Sequence, residues 1–183
     1  IDVIMPDGRT LQVASVHHYR DQWAKAFDVK YESESGEQKH VHQTTYGMSE
    51  RLLGATVATH GDNKGLIMPP SIAPIQVVVI PILSKERSEE IVSAAEEIVK
   101  TLKSERIRAK LDNRDIRPGQ KYYDWEIKGV PLRIELGPRD LKSNSYMCAR
   151  RTGEKSSYKL EELVSSVKNE LDLVNENMKE TAN

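Results

Sequence analysis

The run WEIKGVPLRIELGPRD, Trp125 to Asp140, sets Arg133 and Glu135 two residues apart on a stretch whose intervening positions Val130, Leu132, Ile134 and Leu136 are apolar. Alternation with period two is strand geometry, which buries one set and turns the other outward. The expectation is a guanidinium and a carboxylate exposed on one rigid face, with Glu126 and Lys128 just ahead of them. Such a rigidly presented pair looks like a reading surface. The competing possibility is an intramolecular Arg–Glu pair on an exposed sheet face, worth only about 0–1 kcal/mol; Glu135 suits that duty best. Elsewhere, His40 and His42 share one side of a strand and could suggest a metal, but no carboxylate or thiol spacing completes a site. They read as structural, and no metal is expected.

The elements that must position these residues follow from pattern. Asp7-Gly8 and Ser35-Gly36 are hairpin signals between short apolar runs. Ser49 to Thr59 has helical spacing, with Ser49 as cap and Gly61 as stop. The prolines at 69, 70 and 74 make 66–74 an extended crossing. Beyond it, Ile75 to Leu83 is a β-branched run typical of a strand covered on both faces. An amphipathic helix from Ser88 to Ser104 carries Ile91, Ala94, Ala95, Ile98 and Leu102 as its stripe. A strand near Arg108–Asp112, a short helix from Tyr122 to Lys128, strands at Val130–Leu136 and Tyr146–Arg151, and a helix from about Leu160 to Met178 complete the pattern. Strands alternating with helices imply an α/β fold, a mixed sheet with helices packed on it.

Bulk properties restrict the function class. The 183 residues, 38% hydrophobic and 30% charged, suffice for one good core or two small ones. One cysteine, Cys148, excludes an internal disulfide framework or a cysteine-based zinc cluster in this chain and favours a reducing cytoplasm. No apolar run approaches the roughly 20 residues of a membrane helix, and no signal peptide is evident. The net charge of −1 conceals an asymmetry: Arg106 to Lys155 holds thirteen Lys/Arg against seven Asp/Glu, +6, leaving −7 for the remainder. A basic segment of that kind suggests an anionic partner.

Two stretches carry a family resemblance. YGMSERLLGATVATHGDNKGLIMPPSIAPIQVVVIPIL, Tyr46 to Leu83, resembles the third signature motif of a class II aminoacyl-tRNA synthetase running into an anticodon-binding domain. DNRDIRPGQKYYDWEIKGVPLRIELGPRDL, Asp112 to Leu141, with ARRTGEK at 149–155, resembles the rest of that domain in prolyl-tRNA synthetases of the archaeal and eukaryotic kind. The resemblance implies residues 1–73 as a remnant of the antiparallel catalytic sheet and 74–183 as a mixed five-stranded α/β anticodon-binding domain. It implies ATP-dependent activation of proline and transfer to tRNA(Pro), with Mg2+, in a cytoplasmic homodimer without membrane association. Arg51 would stabilise charge on the departing pyrophosphate. Gln12 and Ser49 would touch the nucleotide, and Ser15, His17 and Ser49 the prolyl group. The two adjacent guanines of a proline anticodon would be read by Glu126 and Arg133, with Lys155 on a base or phosphate, Tyr122 stacking and Lys128 alongside. Arg114, Lys121, Arg150 and Arg151 would meet phosphates. Residue 1 is Ile, and the first two class II motifs and a C-terminal zinc domain find no counterpart, so the chain is expected to be a fragment inactive alone. The alternative is a stand-alone tRNA-binding module without catalysis; an Arg-x-Glu motif ahead of Ile1 would decide for the enzyme.

Overall fold

In the computed structural model, which describes residues 1–83 and 88–182, both turn signals close antiparallel hairpins. Strands β1 (Asp2–Ile4) and β2 (Thr10–Gln12) flank Gly8, whose φ of +80° is the left-handed turn conformation that glycine adopts without strain. Strand β3 (Ala14–Arg20) leads into the short helix α1 (Gln22–Ala26). Strands β4 (Lys30–Glu32) and β5 (Gln38–His40) form the second hairpin around Gly36. Strand β6 (Gln43–Met48) then returns beside β3, pairing Ser15 with Gly47 and His17 with Thr45. Helix α2 (Arg51–His60) stops one residue before Gly61. The antiparallel remnant is thus three separate two-stranded sheets. His40 ends β5 and bonds toward Asp28, whereas His42 lies beyond the strand, so the two do not share a strand face.

Contacts divide the chain into two units, Ile1–Thr59 and His60–Asn183. In the second, β7 (Val77–Pro81) is followed by α3 (Ser88–Ser104), β8 (Ala109–Leu111), α4 (Pro118–Ile127), β9 (Leu132–Leu136) and α5 (Pro138–Lys142). Strands β10 (Ser145–Arg150) and β11 (Lys155–Lys159) precede α6 (Leu163–Ala182). The mixed sheet has the order β11-β10-β9-β7-β8, with β7 parallel to both neighbours and β9, β10 and β11 antiparallel in turn.

Both faces of this sheet are covered. Val77, Val79, Leu132, Ile134 and Leu136 join the apolar stripes of α3 and α6 in the main core. Val78 and Ile80 face the other way and pack with Trp125 and Tyr122 of α4. Arg133 lies in register beside Val78, and Glu135 beside Ile80. The expected exposed face of β9 is therefore corrected: the strand is central, α4 lies over its second face, and Glu135 is buried.

Candidate functional site

The polar residues under α4 form one ionic cluster. Arg133 Nε donates to Glu135 Oε1 at 2.9 Å and Nη1 to Glu126 Oε1 at 3.2 Å, while its guanidinium lies 4.0 Å from the centre of the Tyr122 ring. Lys155 Nζ donates to the same Glu135 oxygen at 3.1 Å. The strand register explains the convergence: Lys155 pairs with Ala149, and Ala149 with Arg133, so cation and guanidinium stand in one row across the sheet. Access is graded. The side chains of Arg133 and Glu135 are 11% and 10% exposed, against 29% for Glu126 and 48% for Lys155. Burial pushes the Glu135 carboxyl up, but Lys155 and Arg133 outweigh it and hold it below its ordinary value. Burial and the neighbouring Glu135 raise the Tyr122 phenol to about 12, so it stays neutral at physiological pH.

A second network braces α4 from below. Asp112, with a side chain 1% exposed, takes both forks of Arg114 at 2.9 and 2.7 Å and the Trp125 indole N–H at 2.7 Å. Burial would raise its carboxyl, but the Arg114 and Trp125 hydrogen bonds bring it down to about 2. Lys110 and Lys128 lie over the Trp125 ring at 5.5 and 4.7 Å.

In the first unit, Arg51 Nη1 donates to the Gln12 carbonyl at 3.2 Å. Gln12, Ser15, Gly47, Ser49 and Arg51 line a cleft of about 260 Å³. Four of the five residues expected around nucleotide and prolyl group are thus brought together. His17 is not among the lining residues; it is exposed on β3 and stacks on Tyr19 at 5.4 Å. The lining offers a guanidinium, an amide and two hydroxyls but no carboxylate, a poor donor set for Mg2+.

Comparison with known proteins settles the lineage of the second unit, for residues 76–170 match the family described as "Anticodon binding domain". The chain belongs to this family. Along nearly its whole length it is also similar to proline–tRNA ligases: 51% identical over 182 residues to that of Thermococcus kodakarensis, covering 99% of this chain and 38% of that protein. The Methanosarcina mazei enzyme is 50% identical over 183 residues, covering 100% of this chain and 38% of the relative. Among solved structures, Giardia lamblia prolyl-tRNA synthetase in complex with prolyl-adenylate superposes with a TM-score of 0.87 at 36% identity, over 99% of this chain and 40% of that one. The chain therefore spans about two fifths of the length of the relatives it matches. The resemblance and the α/β fold read from the sequence both stand.

Within this anticodon-binding domain, several arginines and a lysine expected on phosphates are turned inward. Arg114 is forked onto Asp112 and reaches Asp124 at 2.8 Å. Lys121 is buried with Nζ on the Asp112 carbonyl, 3.1 Å away. Arg150 pairs with Glu154 and Glu170. Arg151, assigned to tRNA by sequence, is 1% exposed in its side chain and forked onto Asp62, whose carboxyl it lowers to about 2. Lys121, Arg150 and Arg151 are buried or nearly so, and a buried cation persists only with a partner, whereas Arg114 keeps its side chain 45% exposed while its guanidinium is engaged by Asp112 and Asp124. Sequence reasoning missed Asp112 and Asp62. Asp112, the first residue of DNRD, was visible at the end of a strand, but its Trp125 partner was not, and Asp62 lies 89 residues from Arg151.

Proposed function

We propose that this chain carries the anticodon reader and part of the adenylate-forming cleft of an ATP-dependent proline–tRNA ligase, with 1–73 as catalytic-core remnant and 74–183 as reader. The observation that carries this reading is the Arg133 cluster, in a chain alignable along nearly its whole length with proline–tRNA ligases. Glu126, with one oxygen on Arg133 and its carboxylate partly open, takes the N1/N2 donors of an anticodon guanine. Lys155 donates toward N7/O6, Tyr122 offers its ring for stacking, and Arg133 acts chiefly by fixing Glu126. Lys128 and Lys110, anchored over Trp125, take the phosphates in place of the arginines engaged inside.

In the cleft, Arg51 faces the developing pyrophosphate charge, Gln12 and Ser49 hold the nucleotide, and Ser15 bounds the prolyl group, with His17 left outside the lining. ATP is substrate here, and any Mg2+ rides on its phosphates. The parent protein on this reading is a cytoplasmic homodimer, and the 183 residues alone support no proline-dependent pyrophosphate exchange.

Binding of the 183-residue chain to a tRNA(Pro) transcript tests the reading. Replacing an anticodon guanine by inosine, which lacks the 2-amino group, is expected to weaken binding by about 1–3 kcal/mol, and Glu126→Gln should abolish that preference. Equal affinity for every anticodon overturns it.

A further inference from the structure

The last turn of α4 is capped from outside itself. A helix leaves its final carbonyls without internal partners. Here Glu126 O accepts Arg151 Nε at 3.0 Å, Ile127 O accepts the Leu66 N–H at 3.2 Å, and Gly129 O accepts the Met68 N–H at 3.2 Å. The capping segment is itself clamped. Arg151 Nη1 and Nη2 donate to Asp62 Oδ2 and Oδ1 at 3.0 and 2.5 Å, and Nη2 also reaches Gly65 O at 3.1 Å. Asp62 and Gly65 exchange two backbone hydrogen bonds, and Asp62 Oδ1 accepts the Lys64 N–H at 2.8 Å.

The approach is so close that only glycine fits on either side. A Cβ on Gly65, at φ +130°, would lie 2.5 Å from Ile127 Cα; one on Gly129, at φ +70°, would lie 2.6 Å from Leu66 O. A cation at a helix C-terminus also complements the dipole. The residue whose carbonyl Arg151 holds is the one whose carboxylate faces out from the Arg133 cluster.

We propose that Asp62 and Arg151 are positioning residues for base reading: their ion pair fixes the final turn of α4, and with it the direction in which Glu126 presents its carboxylate. The inference rests on Glu126 being a reader. The Glu126 carbonyl also accepts the Gly129 N–H at 3.0 Å and the Trp125 carbonyl the Val130 N–H at 3.2 Å, while the Glu126 side chain is held by Arg133; a helix end kept by such local bonds alone frays within its last turn. The clasp removes that freedom without touching the nucleic acid, because Arg151 is covered on all sides.

The test is the ratio of affinities of the 183-residue chain for the guanine and inosine transcripts, measured for wild type, Glu126→Gln, Asp62→Asn and Arg151→Lys. Wild type is expected to prefer guanine by about tenfold or more. Asp62→Asn and Arg151→Lys should bring the ratio down to the Glu126→Gln level while leaving the salt dependence of binding, which counts phosphate contacts, unchanged. Arg151→Lys keeps the cation and serves where Asp62→Asn does not fold, circular dichroism deciding which is read. If Glu126→Gln loses the preference while both clasp variants keep it, the clasp is merely structural and the proposal is overturned. If Glu126→Gln keeps the preference, the reading assigned to Glu126 fails first, and the clasp proposal with it.

Discussion

Removing Arg133 distinguishes an internally neutralised cluster from a pair of free readers. In Arg133→Met, Glu135 keeps only Lys155, 3.1 Å away, as a cationic partner, and Glu126 keeps none of the contacts described here. Stripping one partner from a fully buried pair costs about 3–5 kcal/mol. The surviving lysine places the electrostatic loss at the lower end of that range, and the lost stack on Tyr122 adds about 1 kcal/mol. The single variant should therefore lose roughly 3–4 kcal/mol of stability. Glu135→Met leaves Arg133 on Glu126 and should lose about 2 kcal/mol. The double variant replaces a buried pair by two apolar side chains of similar volume, often a neutral exchange, and should lose only about 1–3 kcal/mol. Its cost then falls short of the sum of the singles by at least about 2 kcal/mol. Urea unfolding followed by tryptophan fluorescence reads this, in a Trp23→Phe background that leaves Trp125, inside the unit concerned, as the remaining one of two tryptophans. Costs additive within about 0.5 kcal/mol would mean that Arg133 and Glu135 do not meet, and would refute the cluster.

Three further outcomes are expected. Asp112 titrates near 2 in the folded chain against its ordinary 3.8, so its stabilisation is complete above about pH 4 and is lost as pH falls toward 2; that is worth about 2 kcal/mol, and Asp112→Asn should flatten this part of a stability–pH curve, whereas parallel curves would exclude the effect. Gly65→Ala and Gly129→Ala, each forcing a Cβ into backbone at positive φ, should lose about 3 kcal/mol or more, while Gly36→Ala, at φ +80° with open space around it, should lose only about 1–2 kcal/mol; equal thermal shifts would contradict the close approach. In tRNA binding, Lys155→Ala should erode guanine preference, whereas Lys128→Ala should weaken all transcripts alike and lower the salt slope by about one; the reverse pattern would exchange the two roles.

How far the sequence alone carries the structure depends on whether the deciding contact is local. The helix read from Ser88 to Ser104 has those limits in the fold, because its stripe, its acidic first turn and its length are all properties of one window. The hairpins at Gly8 and Gly36 were equally legible, each turn needing a left-handed residue at its tip. Strand β11 was not: KSSYK is an edge strand whose small polar residues give no apolar run, and only its pairing with β10 defines it. Helix α5 escaped notice because it is five residues long and begins at Pro138, two residues after β9 ends. At the candidate site, the shared face of Arg133 and Glu135 followed correctly from period two. What covers that face did not, since α4 reaches it through tertiary packing of Tyr122 and Trp125 on Val78 and Ile80.

That covering alters the electrostatic argument as well as the exposure. The excess of +6 between Arg106 and Lys155 suggested a surface that attracts phosphate through many free arginines. In the fold, Arg114, Arg133, Arg150 and Arg151 are all matched with carboxylates, two of which, Asp62 and Glu170, lie outside that segment. Three lysines near the cluster sit on aromatic rings, Lys110 and Lys128 on Trp125 and Lys155, also bonded to Glu135, on Tyr122, while Arg106, Arg117, Arg139 and Lys142 lie exposed elsewhere in the segment. The division has a physical logic. A free arginine beside a base site would take any phosphate within reach, whereas one already bound to two carboxylates exchanges only for a partner that matches its geometry and repairs the carboxylate it leaves. A guanine edge offers donors to Glu126 as it offers acceptors to a cation, and a phosphate offers acceptors alone. On the proposed reading, internal neutralisation works as a filter, raising the threshold for non-specific contacts while leaving base recognition close to an even exchange of hydrogen bonds.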